Sequence, residues 1–98
     1  MRLILVGDDE ALDVLAELSR HLDYFEVSRL DEPPDRTLDG DDHLIVGALD
    51  AARGARLLES ALRGGSPGFF TLLPDARTPA QRAILVAAKL LGVAVTPQ

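Results

Sequence analysis

Short apolar runs alternate with amphipathic segments along this chain. Leu3–Val6, His43–Gly47 and Gly68–Leu73 are runs of strand length, and continuous apolar runs are typical of parallel strands covered on both faces. Between these runs, apolar residues recur at three- and four-residue spacing, as on one face of a helix. This alternation predicts an α/β domain with a parallel sheet and helices on both of its faces.

Two of the predicted helices begin after an aspartate. The first spans residues 10–22 and is capped by Asp8 or Asp9, and the second spans residues 51–63 and is capped by Asp50. A carboxylate at this position accepts a backbone N–H of the first turn and suits the positive end of the helix dipole. The apolar residues expected to face the sheet are Ala11, Leu15, Leu18 and Leu22 in the first helix and Ala51, Ala55, Leu58 and Leu62 in the second.

The remaining elements are predicted from turn and cap signals. Thr78–Gln81 combines capping-box spacing with a proline at the first helical position, which predicts a third helix ending at Gly92. Phe25–Leu30 and Val93–Val95 complete a set of about five strands, and Asp31–Asp42, which contains two prolines, predicts an irregular crossover. The whole chain, residues 1–98, is expected to form one small doubly wound, Rossmann-like domain. The residues of the third helix expected to face the sheet are Ile84, Ala87, Ala88 and Leu91.

Composition excludes several classes of function. The net charge is −6 and no basic stripe is present, which argues against a nucleic-acid or anionic-membrane partner. The chain has no cysteine, so disulfides, thiolate metal sites and cysteine nucleophiles are excluded. The N-terminal apolar run Leu3–Val6 is too short for a signal peptide or a membrane span. These observations favour a cytoplasmic protein.

The carboxyl ends of the strands are where a doubly wound sheet binds its ligands. Arg77 is the only cation that the sequence places beside the acids expected there. The candidate binding residues at these ends are Gly7, Asp8, Asp9, Asp31, Asp50 and Arg77.

One interpretation of this edge is a nucleotide site. The dinucleotide fingerprint Gly-x-Gly-x-x-Gly has its three glycine positions at Gly7, Asp9 and Leu12, so one of the three is met. Asp31 lies 24 residues after Gly7, which suits the acid that holds a ribose hydroxyl. NAD(P) or another nucleotide is the cofactor that such a site would take, although the acids at Asp8 and Asp9 would repel its phosphates.

A second interpretation is a carboxylate metal site, and a third is helix capping alone. Asp8 and Asp9 follow a strand directly, and such a pair can hold Mg²⁺ through carboxylate oxygens. The segment Leu5–Glu10 resembles the start of response-regulator receiver domains, whose acid pair binds Mg²⁺ beside a phosphoacceptor aspartate. The acceptor position corresponds to Gly47. This resemblance implies a degenerate receiver that acts in protein–protein signalling without phosphotransfer.

Five segments carry a wider resemblance. They are Val27–Pro33, Asp42–Asp50, Ala55–Leu62, Phe69–Thr78 and Leu91–Val93. In order, they resemble the motifs V-x-V-x-D-x-R-P, D-x-V-V-V-x-T-H-D, L…AL, Y-V-G-L-L-G-S-R-R and the closing G-V of the xanthine dehydrogenase accessory (XdhC/CoxI-type) family. The resemblance implies a Rossmann-type C-terminal domain of a bacterial-type protein that helps to load or sulfurate the molybdenum cofactor of molybdenum hydroxylases.

The sequence departs from this family at positions that would carry its chemistry, and we therefore predict a protein without catalytic activity. Leu49 stands at the family's histidine, and residues 74–76 stand at its Gly-Ser-Arg loop. Neither His21 nor His43 has a serine or aspartate arrangement that marks a catalytic base, so no catalytic set and no metal site are assigned. We therefore expect an accessory or nucleotide-binding-type module. Its natural partner is another protein or a second copy, bound through an edge strand or a helix face.

Overall fold

Four parallel strands and three helices make up the part of the chain that the computed structural model describes, residues 1–65 and 67–95. This arrangement confirms the predicted α/β class with a parallel sheet. The strands are β1 (Arg2–Gly7), β2 (Glu26–Leu30), β3 (Asp42–Gly47) and β4 (Gly68–Thr71), and the helices are α1 (Glu10–Arg20), α2 (Ala51–Arg63) and α3 (Pro79–Leu90). No helix among the described residues is long and apolar enough to cross a membrane.

The strand order is β2-β1-β3-β4. The chain moves outward from β1 to β2, then crosses back over β1 to β3 and continues to β4. The switch point, where the direction of winding reverses, therefore lies between β1 and β3. These two strands are in register along their whole length, and their last residues, Gly7 and Gly47, are partners.

The sheet is covered on both faces, as predicted. On one face, α1 and α3 pack against each other and against the sheet through Leu5, Leu15 and Ala87. On the other face, α2 and the crossover pack through Leu57 and Leu38. Asp9, Asp50 and Thr78 cap the three helices as predicted, and the Thr78–Gln81 capping box is complete.

The predicted fifth strand is not confirmed, because Val93–Val95 lies outside any strand. The connection from β1 to β2 runs over the α1 face, and the connection from β3 to β4 runs in the opposite direction over the α2 face. Since α3 lies on the α1 face, a path from β4 through α3 to a strand beyond β4 would be left-handed, and parallel crossovers are almost always right-handed. Within the described residues, the outer edge of β4 is therefore unpaired.

The prediction for the buried face of α2 is wrong. Its buried residues are Leu57 and Ser60, whereas all four predicted residues are exposed, with Leu58 at 53% and Leu62 at 85%. In α3 the prediction is right for Ala87, which is buried together with Ala83, and wrong for Ile84 and Leu91, which are exposed. Phe69 of β4 is 42% exposed.

The crossover between β2 and β3 is irregular, as predicted, and is anchored by a leucine. Leu38 is fully buried beneath α2, and its carbonyl accepts a hydrogen bond from the Gly65 backbone N–H at 2.6 Å. A Cβ atom at Gly64 would lie 2.5 Å from the same carbonyl. The crossover therefore packs directly against the end of α2.

A buried carboxylate holds the other end of the crossover. The Asp42 side chain is fully buried at the amino end of β3. It accepts hydrogen bonds from Arg36 at 2.7 and 3.0 Å, from Arg2 Nε at 2.8 Å and from the Asp39 backbone N–H at 2.8 Å. The Arg36 guanidinium, assisted by the Asp39 N–H and Arg2, holds the pKa of Asp42 well below its usual range. The network joins β1, β3 and the crossover at the end of the sheet opposite the candidate site.

Candidate functional site

The switch point at the carboxyl ends of β1 and β3 is closed by direct backbone contact. Gly7 has φ of +128°, and the Asp8 backbone N–H donates to the Gly47 carbonyl at 3.1 Å. A Cβ atom at Gly7 would lie 1.6 Å from that carbonyl oxygen. Ala48, the next residue, also has a positive φ of 55°. The glycine at position 7 therefore allows β1 and β3 to touch where a doubly wound fold usually leaves a crevice.

Asp9 is held by an arginine from α3. Both Asp9 carboxylate oxygens accept hydrogen bonds from Arg82, and both side chains are only 10% exposed. Asp9 also accepts the Ala11 backbone N–H at 2.9 Å and so caps α1. The Arg82 hydrogen bonds, together with this cap, lower the pKa of Asp9. Arg82 Nε is buried and has no hydrogen-bond partner among residues 1–65 and 67–95, so Asp9 binds only part of the guanidinium.

Arg53 of α2 donates hydrogen bonds to the other predicted acids at the carboxyl ends of the strands. Its guanidinium donates to Asp8 at 2.9 Å, to Asp50 at 3.2 Å and to the Asp31 carbonyl at 3.2 Å. Its own backbone N–H donates to Asp50 at 2.8 Å, and this bond is the main cause of the lowered pKa of Asp50. One side chain of α2 therefore joins the ends of β1 and β2 to the start of α2.

The structure brings together five of the six predicted site residues. Gly7, Asp8, Asp9, Asp31 and Asp50 lie around the two arginines, although Asp31 takes part through its backbone carbonyl. The sixth, Arg77, pairs with Asp75 within its own loop at 2.9 Å.

The prediction that Arg77 is the one cation near these acids is wrong, because Arg53 and Arg82 occupy that place. A sequence signal for Arg53 was available. It stands three residues after the capping Asp50, where its side chain can fold back over the cap. Arg82 carries no comparable signal, because it is 73 residues from Asp9.

This geometry leaves little capacity for an anion or a metal ion. Helix N-termini bind phosphate through free backbone N–H groups, but carboxylates of the chain already accept N–H groups of Ala11 and Arg53 at the two helices of the switch point. Among residues 1–65 and 67–95, no three acidic or histidine side chains converge as a metal site would require. The acids that the sequence offers for Mg²⁺ are instead bound to guanidinium groups.

No protein-family model, curated protein or solved structure matches the chain.

The Asp9–Arg82 pair is expected to stabilise the contact between α1 and α3. Asp9→Asn preserves the cap but removes the charge, and Arg82→Met removes the partner. Because both side chains are nine-tenths buried, a double-mutant cycle from urea unfolding should give a coupling free energy of ~1–3 kcal/mol. The exposed pair Arg56–Glu32, with side chains 57% and 61% exposed, should couple much more weakly in the same measurement. Equal coupling for the two pairs would contradict this assignment.

Proposed function

We propose that this chain is a non-catalytic Rossmann-like accessory module that works through protein contacts and does not bind a nucleotide at its switch point. The observation that carries the proposal is the pairing of Asp8, Asp9 and Asp50 with Arg53 and Arg82. Doubly wound enzymes keep this crevice open for a cofactor, whereas here the chain's own side chains occupy it. The resemblance to the XdhC/CoxI-type C-terminal domain adds to the proposal a role in the maturation of molybdenum hydroxylases.

The strand order is compatible with that resemblance. A dinucleotide fold has the order 3-2-1-4-5. If its third strand is omitted and the rest are renumbered, the order becomes 2-1-3-4, the order found in this sheet. In chain order, the irregular crossover between β2 and β3 takes the place of the omitted strand and its helix. The order as it stands is that of a receiver-like fold, and it is compatible with a Rossmann-type module only if that strand is missing.

A degenerate receiver is the second candidate, and the same strand order favours it. Receiver-like flavodoxin folds have the order 2-1-3-4-5. Asp8 and Asp9 follow β1, and Gly47 ends β3 at the acceptor position. Such a module would act in signalling without phosphotransfer, and the acid pair would retain a response to Mg²⁺.

A thermal-shift experiment separates these proposals. We expect NADH, NADPH, AMP and Mg²⁺, each at millimolar concentration, to change the melting temperature by less than about 1 °C, because a ligand that does not bind the folded state cannot stabilise it. A rise of several degrees with a nucleotide would overturn the accessory proposal. A rise with Mg²⁺ alone would support the degenerate receiver instead.

A pair of arginine variants tests whether the ion pairs are what closes the site. Arg53→Ala frees the carboxylates of Asp8 and Asp50, and this variant is expected to gain stabilisation by Mg²⁺ that the wild type lacks. Arg56→Ala is the matched control, because Arg56 lies on the same helix and its guanidinium pairs with Glu32 and not with Asp8 or Asp50. If both variants respond to Mg²⁺ as the wild type does, the ion pairs are not the barrier.

A further inference from the structure

We propose that this chain binds an extended, acidic segment of a partner protein as an added strand along the outer edge of β2, which rests on the protein-contact role proposed above and specifies its partner. The segment would lie in a groove of about 240 Å³ between α1 and β2. This α1–β2 groove is lined by Ala16, Ser19 and Arg20 of α1 and by Phe25, Val27 and Arg29 on the side of β2.

Contacts in the structure join α1 to β2 along this groove. Arg29 Nε donates to Asp13 of α1 at 3.2 Å. Phe25 and Val27 pack against the core cluster that contains Leu15 of α1. The groove is therefore one surface formed by two elements in contact, with apolar side chains on its floor.

The backbone of β2 has free hydrogen-bonding groups along the groove. Within the described residues β2 pairs with β1 alone, and the Glu26 backbone N–H donates to the Met1 carbonyl at 2.9 Å. Because successive residues of a strand direct their backbone groups to opposite sides, the N–H and C=O groups of Val27 and Arg29 point away from β1. An unpaired edge of this kind is a template for an added strand.

The side chains of the same residues face the groove. Leu30 packs into the core cluster on the α2 side of the sheet, and Glu26, which shares its parity, lies on that side as well. A strand added antiparallel to β2 would place every second side chain in the groove, opposite Phe25, Val27 and Arg29. These three positions span about 13 Å, so the groove accommodates three side chains at two-residue spacing.

The charge of the groove favours an acidic segment. Its six lining residues include two arginines and no acid, although the chain carries a net charge of −6. Arg20 has no ion pair with any residue of 1–65 and 67–95. Arg29 uses Nε for Asp13, which it neutralises, and Nη1 for the Leu30 carbonyl. Its Nη2 amino group therefore has no partner among the described residues.

The two arginines lie at opposite ends of the groove. Arg29 is placed beside Asp13, and Arg20 follows Asp13 by two turns, or about 10 Å along α1. An occupant with an acid at each end and an apolar residue between them matches this order. The pattern expected of the partner is therefore Glu-x-Val-x-Glu in an extended conformation.

A second copy of this edge would not supply those charges. The β2 side chains that face the groove are Val27 and Arg29, so a second β2 would bring a further cation against the arginines already present. Like charges opposite each other destabilise paired strands. Charge complementarity therefore identifies the occupant as a different, acidic chain.

A peptide titration followed by ¹⁵N NMR tests this inference on the whole chain. The probe is the blocked peptide Thr-Glu-Thr-Val-Thr-Glu-Thr, and its control carries lysine at both glutamate positions. We expect the glutamate peptide to bind with a dissociation constant below about 1 mM, with the largest shifts at the backbone N–H groups of Val27 and Arg29. The lysine peptide should bind about tenfold more weakly or not at all. Absence of binding by the glutamate peptide, or equal binding by both, would overturn the proposal.

A pair of charge variants tests the groove itself. Arg20→Glu reverses the cation at one end and should weaken binding of the glutamate peptide about tenfold. Arg63→Glu is the matched control, because Arg63 is an exposed arginine in the last turn of α2, and it should bind the peptide as the wild type does. Wild-type affinity in Arg20→Glu would contradict the assigned groove.

A modified peptide tests strand addition without altering the protein. N-methylation of the central valine removes an N–H that would donate to β2 and leaves every side chain in place, so binding should be lost. Undiminished binding would show that the peptide does not add to the sheet, and would overturn the proposal. Failure of these tests leaves the nucleotide and Mg²⁺ experiments of the proposed function unaffected, so the two proposals can fail independently.

Discussion

Replacing Gly7 by alanine is expected to be the most damaging small substitution in this protein. The new Cβ atom would lie 1.6 Å from the Gly47 carbonyl oxygen, in a backbone conformation with φ of +128° that L side chains rarely adopt. Neither β1 nor β3 can move aside, because both are central strands. We expect a loss of at least about 4 kcal/mol in the free energy of unfolding, measured by urea denaturation.

Gly54→Ala provides the control for this experiment. Gly54 lies inside α2, and a Cβ atom there would meet no other atom within 4 Å. Alanine in a helix interior is more favourable than glycine by ~0.5–1 kcal/mol, so this variant should be slightly more stable than the wild type. A Gly7→Ala variant with wild-type stability would show that β1 and β3 do not touch at their carboxyl ends.

Removing the Asp42 carboxylate should have the second-largest effect. Asp42→Ala leaves Arg36, Arg2 and the Asp39 backbone N–H without their shared acceptor in a buried position. Breaking a buried ion pair from one side costs ~3–5 kcal/mol, and the partial exposure of both arginines places the expected loss at about 3 kcal/mol. Asp41→Asn, at the exposed neighbouring residue, should change stability little. Loss of stability in both variants to the same extent would contradict the assignment.

The same carboxylate predicts a dependence on pH. The pKa of Asp42 is lowered in the folded protein, so the folded state binds its proton less readily than the unfolded state does. Its contribution to stability is therefore complete above the unfolded pKa of ~4 and is lost as the pH falls below that value. Asp9, whose pKa is also lowered by Arg82, contributes in the same direction. Urea unfolding at a series of pH values should show a shallower acid loss for Asp42→Asn than for the wild type.

Local signals in the sequence predicted the elements well. The caps at Asp9, Asp50 and Thr78 depend on atoms two or three residues away, and all three are present. The apolar runs of β1 and β3 are buried on both faces, which their composition predicts. The prolines at residues 33 and 34 excluded a regular helix from the crossover, and none is present there.

Helix rotation and charge pairing could not be predicted in the same way. The apolar stripe of α2 has helical spacing, but the helix packs on the sheet and on Leu38 of the crossover through a different residue, Leu57. The stripe that the sequence assigned to the core is therefore on the surface. Arg82 reaches Asp9 only because α3 returns over the α1 face, which local spacing does not encode.

The amino-acid sequence by itself determined the fold class, the start of each helix and the set of acids at the carboxyl ends of the strands, because these depend on periodicity and on contacts a few residues apart. Only the tertiary structure decided what those acids do. It placed Arg53 and Arg82 among them, brought Gly7 against Gly47, and left the apolar stripe of α2 on the surface. The physical reason is that ion pairing, close backbone approach and burial depend on which distant segments become neighbours, and that is settled by the strand order and by the face of the sheet on which each helix packs.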